Sequence, residues 1–293
     1  GILCGLAGSV KWSGIYVLAL LGLFVAIREI TARWAAGHPS PVRGALLADV
    51  WWAFILMVPP AILTYIASWF GWFIHPRAYG HGRSGISGFG GALVDLWLYH
   101  RDMWKFHNGL ETPHTYQSNP YTWLAQIRPT SFHWANGEAV TGCPSGNCAT
   151  NVVALGNPIL WWIGIGALML VVWGTFYYRN WRAGVILTGY LALYVPWLGY
   201  AHRTIFTFYT VAFAPFVALA VAWMIGLLAG AVATDGQPSI LPMPRRTEIT
   251  GRVMAVGLTI TILACALWFL PLWRADVVDY EFWRAHMWLP TWI

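Results

Sequence analysis

Long apolar runs alternate with short segments rich in Arg, Gly and Pro along most of the chain. Runs of about 20 apolar residues are long enough to cross the hydrocarbon core of a bilayer as α-helices. The pattern predicts about six membrane-spanning helices, at residues 2–27, 46–73, 154–177, 183–201, 204–231 and 253–273. We therefore expect an all-α integral membrane protein, a multi-span helical bundle that forms one domain over residues 1–293.

The short connections between these runs fall into two sets by charge. Arg residues are concentrated in the connections after the first, third and fifth runs, and these are Arg28, Arg33, Arg43, Arg179, Arg182, Arg245, Arg246 and Arg252. Short loops with an excess of Arg and Lys face the cytoplasm. Residues 232–252 are therefore predicted to form a cytoplasmic linker. By alternation, residues 74–153 form one large outward-facing loop.

The outward loop contains a helix pattern followed by an irregular ribbon. Residues 91–107 place apolar side chains along one helical stripe, with polar side chains near the opposite face, and the stripe is Leu93, Leu96, Trp97 and Trp104. This pattern predicts an interfacial helix that lies flat on the membrane. The ribbon, LETPHTYQSNPYTWLAQIRPTSFHW at residues 110–134, contains three Pro residues, which favour an extended backbone.

Two of the cysteines lie close together in the outward loop. Cys143 and Cys148 are five positions apart in TGCPSGNCAT, a spacing that can close a small disulfide in an oxidising compartment. The alternative is half of a zinc site, but no second Cys pair or tight His pair accompanies them in the sequence. We favour the disulfide and predict no metal site. Cys4 and Cys265 lie in apolar runs and are predicted to be inert thiols.

Composition agrees with a membrane protein. Hydrophobic residues make up 58% of the chain and charged residues 10%, whereas soluble domains have about 25% charged residues. The formal charge of +6 is scattered among the loops, so nucleic acid is not an expected partner. The 21 Trp residues are typical of interfacial anchors.

Three outward-side cations are the first candidates for chemistry. Lys11, in SVKWSGIY, lies within the first apolar run, where an ionisable group either serves a function or reaches towards the interface. Arg203, in GYAHRTIFTFYT, and Arg128, before Pro129, are either plain interfacial residues or phosphate clamps, because a guanidinium binds phosphate oxygens bidentately. Together they suit an anionic lipid headgroup that carries phosphate.

Five segments, in this order and spacing, resemble one enzyme family. They are VKWSGIY at 10–16, LYHRDMWKFHNGLETPHTYQSNPYTWLAQIRPTSFHW at 98–134, VVALGNPILWW at 152–162, RNWRAG at 179–184 and HRTIFTFYTVAFAPF at 202–216. The chain resembles the bacterial, especially actinobacterial, protein O-mannosyltransferases. These are polyprenyl-phosphate-mannose-dependent glycosyltransferases of the GT-C membrane fold.

The resemblance implies an activity and a location. It implies transfer of mannose from a polyprenyl-phosphate carrier to Ser or Thr of exported proteins, at the outer face of the bacterial plasma membrane, with no tightly bound cofactor. The family's reaction is inverting. It needs a general base for the acceptor hydroxyl and cations for the departing lipid phosphate.

The resemblance also assigns supporting residues. Lys11, Arg203 and Arg128 match positions expected to contact the lipid phosphate. His107 and His114 are candidates for substrate contacts, with a hydrogen-bonded structural role as the alternative for both.

The catalytic carboxylates of the family have no counterpart here. In the family, an Asp-Glu pair in the first outward loop supplies the general base, and no such loop precedes Lys11. We expect this chain to be a C-terminal part, with the base upstream of Gly1, and to be inactive alone. The outward carboxylates are not expected to act as the base, and they are Asp95, Asp102, Glu111 and Glu138.

Two other functions remain open from the sequence. One is a GT-C transferase that acts on a lipid or a cell-wall glycan, because the same cations would serve it. The other is a non-enzymatic transporter or accessory membrane subunit. Transporters tend to carry midplane carboxylates and internal repeats, and the sequence has no such pattern.

Overall fold

The computed structural model describes residues 1–143, 146–230 and 245–293, except for the side chains of Glu138 and residues 245–248. Its helices and three short strands group into two compact units. The first unit is Gly1–Thr112 with Leu191–Leu193, and the second is Pro113–Tyr190 with Tyr194–Ile293. Residues 232–244 of the predicted linker lie outside the described residues, and the helix that follows begins at Arg245.

The first unit is helical. Its helices are α1 Ile2–Val10, α2 Ser13–Ala35, α3 Pro41–Ala45, α4 Trp51–Ser68, α5 Phe70–Ile74 and α6 Gly88–Asn108. A π-helical turn, Leu46–Val50, joins α3 to α4. Helices α1, α2 and α4 pack against one another. Helix α6 covers the segment for which the sequence predicts an interfacial helix.

The first apolar run forms two helices, so the prediction of one helix over residues 2–27 is wrong. Lys11 has an extended backbone, with φ −155° and ψ 137°, and separates α1 from α2. The two helices are in close contact at this break, because a Cβ atom added to Gly14 would lie 2.4 Å from the backbone nitrogen of Gly8. After the break, α2 continues to Ala35, beyond the predicted end of the run.

Asp95, on α6, is buried although the sequence places it near the polar face of that helix. Its carboxylate accepts hydrogen bonds from the backbone N–H groups of Gly82, at 2.7 Å, and Ser84, at 2.6 Å. Gly82 has a φ of +79°, a conformation that side chains disfavour, and this conformation accompanies the bond from its N–H to the carboxylate. Asp95 therefore fixes the glycine-rich segment between α5 and α6.

The second unit combines helices with a small sheet. Its helices are α7 Pro158–Phe176, α8 Trp181–Leu193, α9 Val195–Leu198, α10 Ala214–Leu228, α11 Arg245–Trp273 and α12 Tyr280–Ala285. Helix α7 packs against α10 and α11. Gly164 permits the close contact with α10, because an added Cβ atom would lie 2.7 Å from a methyl carbon of Val217.

Four helical segments in the described part of the chain are long and apolar enough to cross a membrane, and they are Ser13–Ala35, Pro41–Ser68, Pro158–Phe176 and Ile249–Trp273. The predicted runs 183–201 and 204–231 contain shorter helices. Helix α8 ends at Leu193, and α10 begins only at Ala214, after a 3-10 turn at Thr207–Ala212. Between α8 and α10, the short helix α9 is followed by an irregular stretch, residues 199–206, that carries Arg203.

A three-stranded antiparallel sheet is the element that the all-α prediction omits. Strands β1 Thr130–Asn136, β2 Cys148–Ala154 and β3 Val278–Asp279 pair in the order β1-β2-β3. A disulfide joins Cys143 to Cys148, with 5.6 Å between the two Cα atoms. It links the connection between β1 and β2 to the first residue of β2.

The segment after α11 folds back onto that helix. His286 is fully buried, and its ring nitrogens lie 2.6 Å from the carbonyl oxygen of Phe282 and 2.8 Å from that of Trp268. Its ring stacks on Trp268 with 4.5 Å between centroids. Trp292 joins Phe269 of α11 in a hydrophobic core. The end of the chain is therefore packed into the second unit.

The Asp95 anchor gives a pH-dependent prediction. Burial acts to raise the pKa of Asp95, but hydrogen bonds from Ser84 and Gly82 outweigh it and leave the pKa below its ordinary value of 3.8. A carboxyl group whose pKa is lowered by folding stabilises the fold above its unfolded pKa and loses that contribution as pH falls through the folded pKa. We expect Asp95→Asn to lower the thermal unfolding midpoint at pH 7.

The measurement is the thermal unfolding midpoint of the parent and of Asp95→Asn at a series of pH values. The difference in midpoint between the parent and Asp95→Asn should shrink as pH falls below about 3.8, because the parent then also carries a neutral group. Asp276→Asn is a control on a partly exposed carboxylate of the second unit that pairs with Arg274 at 3.5 Å and has no backbone amide anchor of the Asp95 kind in the described part of the chain. A difference that stays constant with pH would contradict the assignment of this effect to the Asp95 charge.

Candidate functional site

From Pro113 onward the ribbon belongs to the second unit, where it is tied to the segment that carries Arg203. The backbone N–H of Ser118 donates to the carbonyl of Ile205 at 2.9 Å. The hydroxyl of Thr207 donates to the carbonyl of Arg128, and the hydroxyl oxygens of Thr207 and Ser118 are 2.9 Å apart. These bonds hold two irregular segments, far apart in sequence, side by side.

Trp123 is the buried anchor of the ribbon. It is fully buried, and its indole N–H donates to the Ser118 hydroxyl at 2.8 Å. Its ring lies against those of Trp197, at 5.8 Å, and Tyr209, at 6.2 Å. The hydroxyl of Tyr194 donates to the carbonyl of Pro120 at 3.0 Å. The ribbon is therefore a folded surface of the second unit.

Gln126 connects the ribbon to the rest of the unit. Its side chain is buried, donates to the carbonyl of Trp123 at 3.0 Å and accepts from the N–H of Gly156 at 3.0 Å. Its backbone carbonyl accepts from the indole N–H of Trp292 at 2.7 Å. A buried amide that lost these partners would cost about 1–3 kcal/mol for each unsatisfied group, so Gln126 is structural.

Arg128 directs its guanidinium at the protein's own backbone. Nη1 donates to the carbonyls of Thr291, at 2.7 Å, and Ile293, at 3.1 Å, and Nη2 donates to Thr115 at 2.9 Å. The guanidinium also lies 5.2 Å from the ring centroid of Tyr116. Arg128 thus joins the ribbon to the end of the chain, and three of its five N–H donors are used.

Arg203 has a different environment. Its guanidinium lies 6.0 Å from the ring centroid of Trp197 and 5.9 Å from that of Tyr200. Its Nε is buried and has no hydrogen-bond partner among the described residues. A buried N–H without a partner is costly, so a ligand oxygen at this position would relieve the cost. Among the predicted phosphate contacts of this unit, Arg203 has the donor best placed for an anion.

His114 lies in a turn of the ribbon. Its Nδ1 accepts from the backbone N–H of Tyr116 at 3.1 Å, and its ring meets the ring of Phe206 edge-on at 5.1 Å. The side chain is exposed, and its Nε2 is not used in that turn. His114 therefore combines a structural contact with a second nitrogen that a substrate can reach.

Lys11 and His107 belong to the first unit. Lys11 is exposed at the break between α1 and α2, where its N–H donates to the carbonyl of Ala7 at 3.0 Å and its carbonyl accepts from Gly14 at 2.9 Å. His107 is exposed in the last turn of α6, with its ring 5.3 Å from that of Phe106. The structure thus brings together the segments of His114, Arg128 and Arg203, whereas Lys11 and His107 are parts of the other unit.

Two carboxylates of the predicted outward loop, Asp95 and Asp102, make contacts within the first unit. Asp95 binds the backbone amides described above. Asp102 pairs with Arg83 at 2.6 Å, and this hydrogen bond and the charges of Arg83 and Arg101 lower its pKa below the ordinary value. A lowered pKa makes a carboxylate a weaker base. Glu111 is exposed.

An apolar cleft of about 410 Å³ lies on the second unit, beside the same irregular segment. It is lined by the end of β2 and the chain that follows, by Trp161 of α7, and by the turn that contains Phe208, Thr210 and Val211. Because most of these groups are apolar, the cleft suits hydrocarbon better than a sugar.

The sequence did not single out Gln126 or the pairing partners of the ribbon, and it did not predict that Asp95 is buried. A polar residue in an irregular segment carries no periodic signal that separates burial from exposure. The one signal in the sequence was the concentration of aromatic residues around Gln126. Trp rings in such number pack against other side chains, and polar groups buried among them need hydrogen-bond partners.

Comparisons with known proteins cover the whole chain. It is 32% identical, over 305 residues, to the polyprenol-phosphate-mannose–protein mannosyltransferase of Mycolicibacterium smegmatis, covering 100% of this chain and 57% of that protein. It is 29% identical, over 307 residues, to the protein of the same name from Corynebacterium glutamicum, covering 100% of this chain and 56% of that protein. The chain thus spans somewhat more than half the length of these relatives.

A solved structure shares the fold. The Saccharomyces cerevisiae protein O-mannosyltransferase Pmt1–Pmt2 complex, bound to the sugar donor, matches with a TM-score of 0.50 and 19% identity. The match covers 71% of this chain and 27% of that chain. The helical architecture is therefore of the GT-C type that the sequence predicts.

Residues 92–292 match the family described as the C-terminal four TMM region of protein-O-mannosyltransferase. This segment contains α7, α8, α10 and α11, the sheet and the ribbon. The chain belongs to this family of protein O-mannosyltransferase C-terminal membrane regions.

Proposed function

We propose that this chain is the C-terminal membrane part of an enzyme that transfers mannose from a polyprenyl-phosphate carrier to Ser or Thr of exported proteins. The observation that carries the proposal is the similarity over the full chain to relatives whose name states this donor and a protein acceptor. In this proposal the chain binds the donor and the acceptor. The general base comes from a segment outside it.

Cations assist such a transfer by stabilising the charge that develops on the departing lipid phosphate. Arg203 is assigned this role because its buried Nε lacks a partner among the described residues and its guanidinium lies beside two aromatic rings. Lys11 is assigned a second contact as an exposed cation at a helix break. The apolar cleft beside the Arg203 segment is a site for the first part of the polyprenyl chain.

The remaining predicted residues receive supporting roles. Arg128 reaches the carrier phosphate only with the donors that its three backbone contacts leave unused. His114 and His107 are assigned to the acceptor or the sugar because both side chains are exposed. Asp95, Asp102, Glu111 and Glu138 are not assigned as the base.

The proposed location is the bacterial plasma membrane, with residues 74–153 facing outward. The disulfide supports this orientation, because disulfides persist in oxidising compartments and are rare in the cytosol. The Arg residues in the opposite set of connections support it as well.

The phosphate assignment predicts a selective loss of donor binding. In membranes that express the longest reading frame containing this chain, Lys11→Ala or Arg203→Ala should raise the KM for polyprenyl-phosphate-mannose about 10- to 100-fold. The reason is that a lost charge-assisted hydrogen bond costs about 1.5–3 kcal/mol. The KM for a Ser/Thr peptide should change little, and mannose transfer to that peptide is the measurement.

Two variants make this test specific. Arg203→Lys keeps the charge but loses the planar fork, so its donor KM should lie between those of the parent and Arg203→Ala. Arg182→Ala removes an Arg that also lies over an indole ring, 5.1 Å away, but on the predicted cytoplasmic side, and it should leave the donor KM unchanged. If Lys11→Ala and Arg203→Ala both matched the parent, the phosphate assignment would be wrong.

Arg128 is predicted to act mainly on stability. Arg128→Lys cannot reach the carbonyls of Thr115 and Thr291 together, so the ribbon and the chain end should separate more readily. We expect faster limited proteolysis within residues 110–134 and a destabilisation of about 1–3 kcal/mol. A loss of donor affinity with unchanged proteolysis would instead assign Arg128 to the phosphate.

The acceptor distinguishes this proposal from a GT-C transferase that acts on a glycan. The protein encoded by this reading frame should transfer radiolabelled mannose to a Ser/Thr-rich peptide and not to a purified lipid or cell-wall glycan. Replacing every Ser and Thr of the peptide by Ala is the matched control and should abolish labelling. Labelling of the glycan alone would overturn the protein-acceptor proposal.

A further inference from the structure

Three polar groups from separate helical segments meet beside Lys11 in the first unit. The indole N–H of Trp12, at the start of α2, donates to the hydroxyl of Tyr65 on α4 at 3.0 Å. The hydroxyl of Tyr65 lies 2.6 Å from Nε2 of His100 on α6. The sequence contains Trp12 and His100 in two of the segments that carry the family resemblance, and Tyr65 connects them.

The donors and acceptors of this chain fix one another. His100 Nδ1 lies 2.7 Å from the carbonyl oxygen of Leu96, which can only accept, so Nδ1 carries the hydrogen. In a neutral imidazole Nε2 is then the acceptor, and the hydroxyl of Tyr65 donates to it. The oxygen of Tyr65 accepts from Trp12. The indole N–H of Trp12, the hydroxyl of Tyr65 and both ring nitrogens of His100 therefore each have a partner.

Ring packing holds the same residues in place. The indole of Trp12 is nearly parallel to the ring of His100, with 5.7 Å between centroids and 12° between planes. Trp69 contacts His100 with 4.9 Å between centroids, and its ring meets that of Tyr99 edge-on at 5.6 Å. The position of the Trp12 side chain is thus determined by hydrogen bonding at its edge and by packing on its face.

Lys11 directly precedes Trp12 in the break between α1 and α2. Its backbone N–H and carbonyl are both hydrogen-bonded to these helices, so the backbone of this pair of residues has little freedom. Fixing the indole of Trp12 therefore fixes the direction in which the side chain of Lys11 leaves the backbone. A lysine side chain is long and flexible, and ordering its base reduces the entropy lost when its ammonium binds a ligand.

We propose that the Trp12–Tyr65–His100 chain positions Lys11 for the carrier phosphate. Tyr65 and His100 are positioning residues, and neither touches the donor. This inference rests on the proposed function, in which Lys11 binds the phosphate. It adds that the affinity of this contact depends on a hydroxyl of α4 and an imidazole of α6.

A double-mutant cycle on the longest reading frame tests the proposal. Tyr65→Phe removes one hydroxyl and two hydrogen bonds, and it should raise the KM for polyprenyl-phosphate-mannose about three- to tenfold, without changing the KM for the Ser/Thr peptide. In the Lys11→Ala background the same substitution should have no further effect, because Lys11 is no longer present to be positioned. The same factor in both backgrounds would overturn the proposal and indicate a general structural effect.

Matched variants keep the test informative. Tyr99→Phe changes the same kind of residue in the same aromatic cluster, outside the hydrogen-bonded chain, and should match the parent. His100→Gln retains an acceptor for the Tyr65 hydroxyl and should rescue donor KM relative to His100→Leu. Equal donor KM for the Gln and Leu variants would contradict the positioning role, even if Tyr65→Phe failed to fold.

The outcomes distinguish the phosphate contact of Lys11 from the positioning role of Tyr65 and His100. If Lys11→Ala left the donor KM unchanged, the phosphate assignment of Lys11 would fail, and this inference would fail with it. If Lys11→Ala raised the donor KM but Tyr65→Phe did not, the assignment would stand and the positioning role alone would be overturned.

Discussion

Polar groups that are buried inside a protein must find their hydrogen-bond partners there, because water cannot reach them. The amide of Gln126 meets this requirement at the centre of the second unit. It joins Trp123 to Gly156, and its backbone carbonyl holds Trp292. The positions of the ribbon and the cations around it depend on these bonds.

Arg128 and Arg203 differ in how their side chains meet this requirement. The guanidinium of Arg128 is used largely by backbone carbonyls, whereas the Nε of Arg203 is buried with no partner in the described part of the chain. A buried polar group without a partner is costly, and a bound ion or a catalytic role is one explanation for such a group. The contrast explains why two residues that look equivalent in sequence are assigned different roles.

The sequence predicted the elements that depend on local pattern. Apolar runs predicted the membrane helices, and a helical stripe predicted α6. The break at Lys11 and the short helices α8 and α10 were not predicted, because hydropathy averages over a helix end and does not detect close contacts such as that between Gly8 and Gly14.

Features that depend on distant residues were also missed. The burial of Asp95 requires the amides of a loop before α6, and the sheet requires β3, far along the chain from β2. For the candidate site, residue type identified the cations, but only the contacts separated Arg128 from Arg203. The hydrogen bonds that link Trp12 to Tyr65 and His100 in the first unit likewise could not be predicted from residue spacing.

Residues 278–293 are synthesised long after the ribbon that they contact. β3, Trp292 and two of the three backbone oxygens that bind Arg128 come from residues 278–293, and Arg128 is separated from its partner Thr291 by 163 positions. At a translation rate of about 5–20 residues per second, the ribbon leaves the ribosome on the order of ten seconds before its partners. During that interval the ribbon lacks these partners, so its final packing follows the synthesis of residues 278–293.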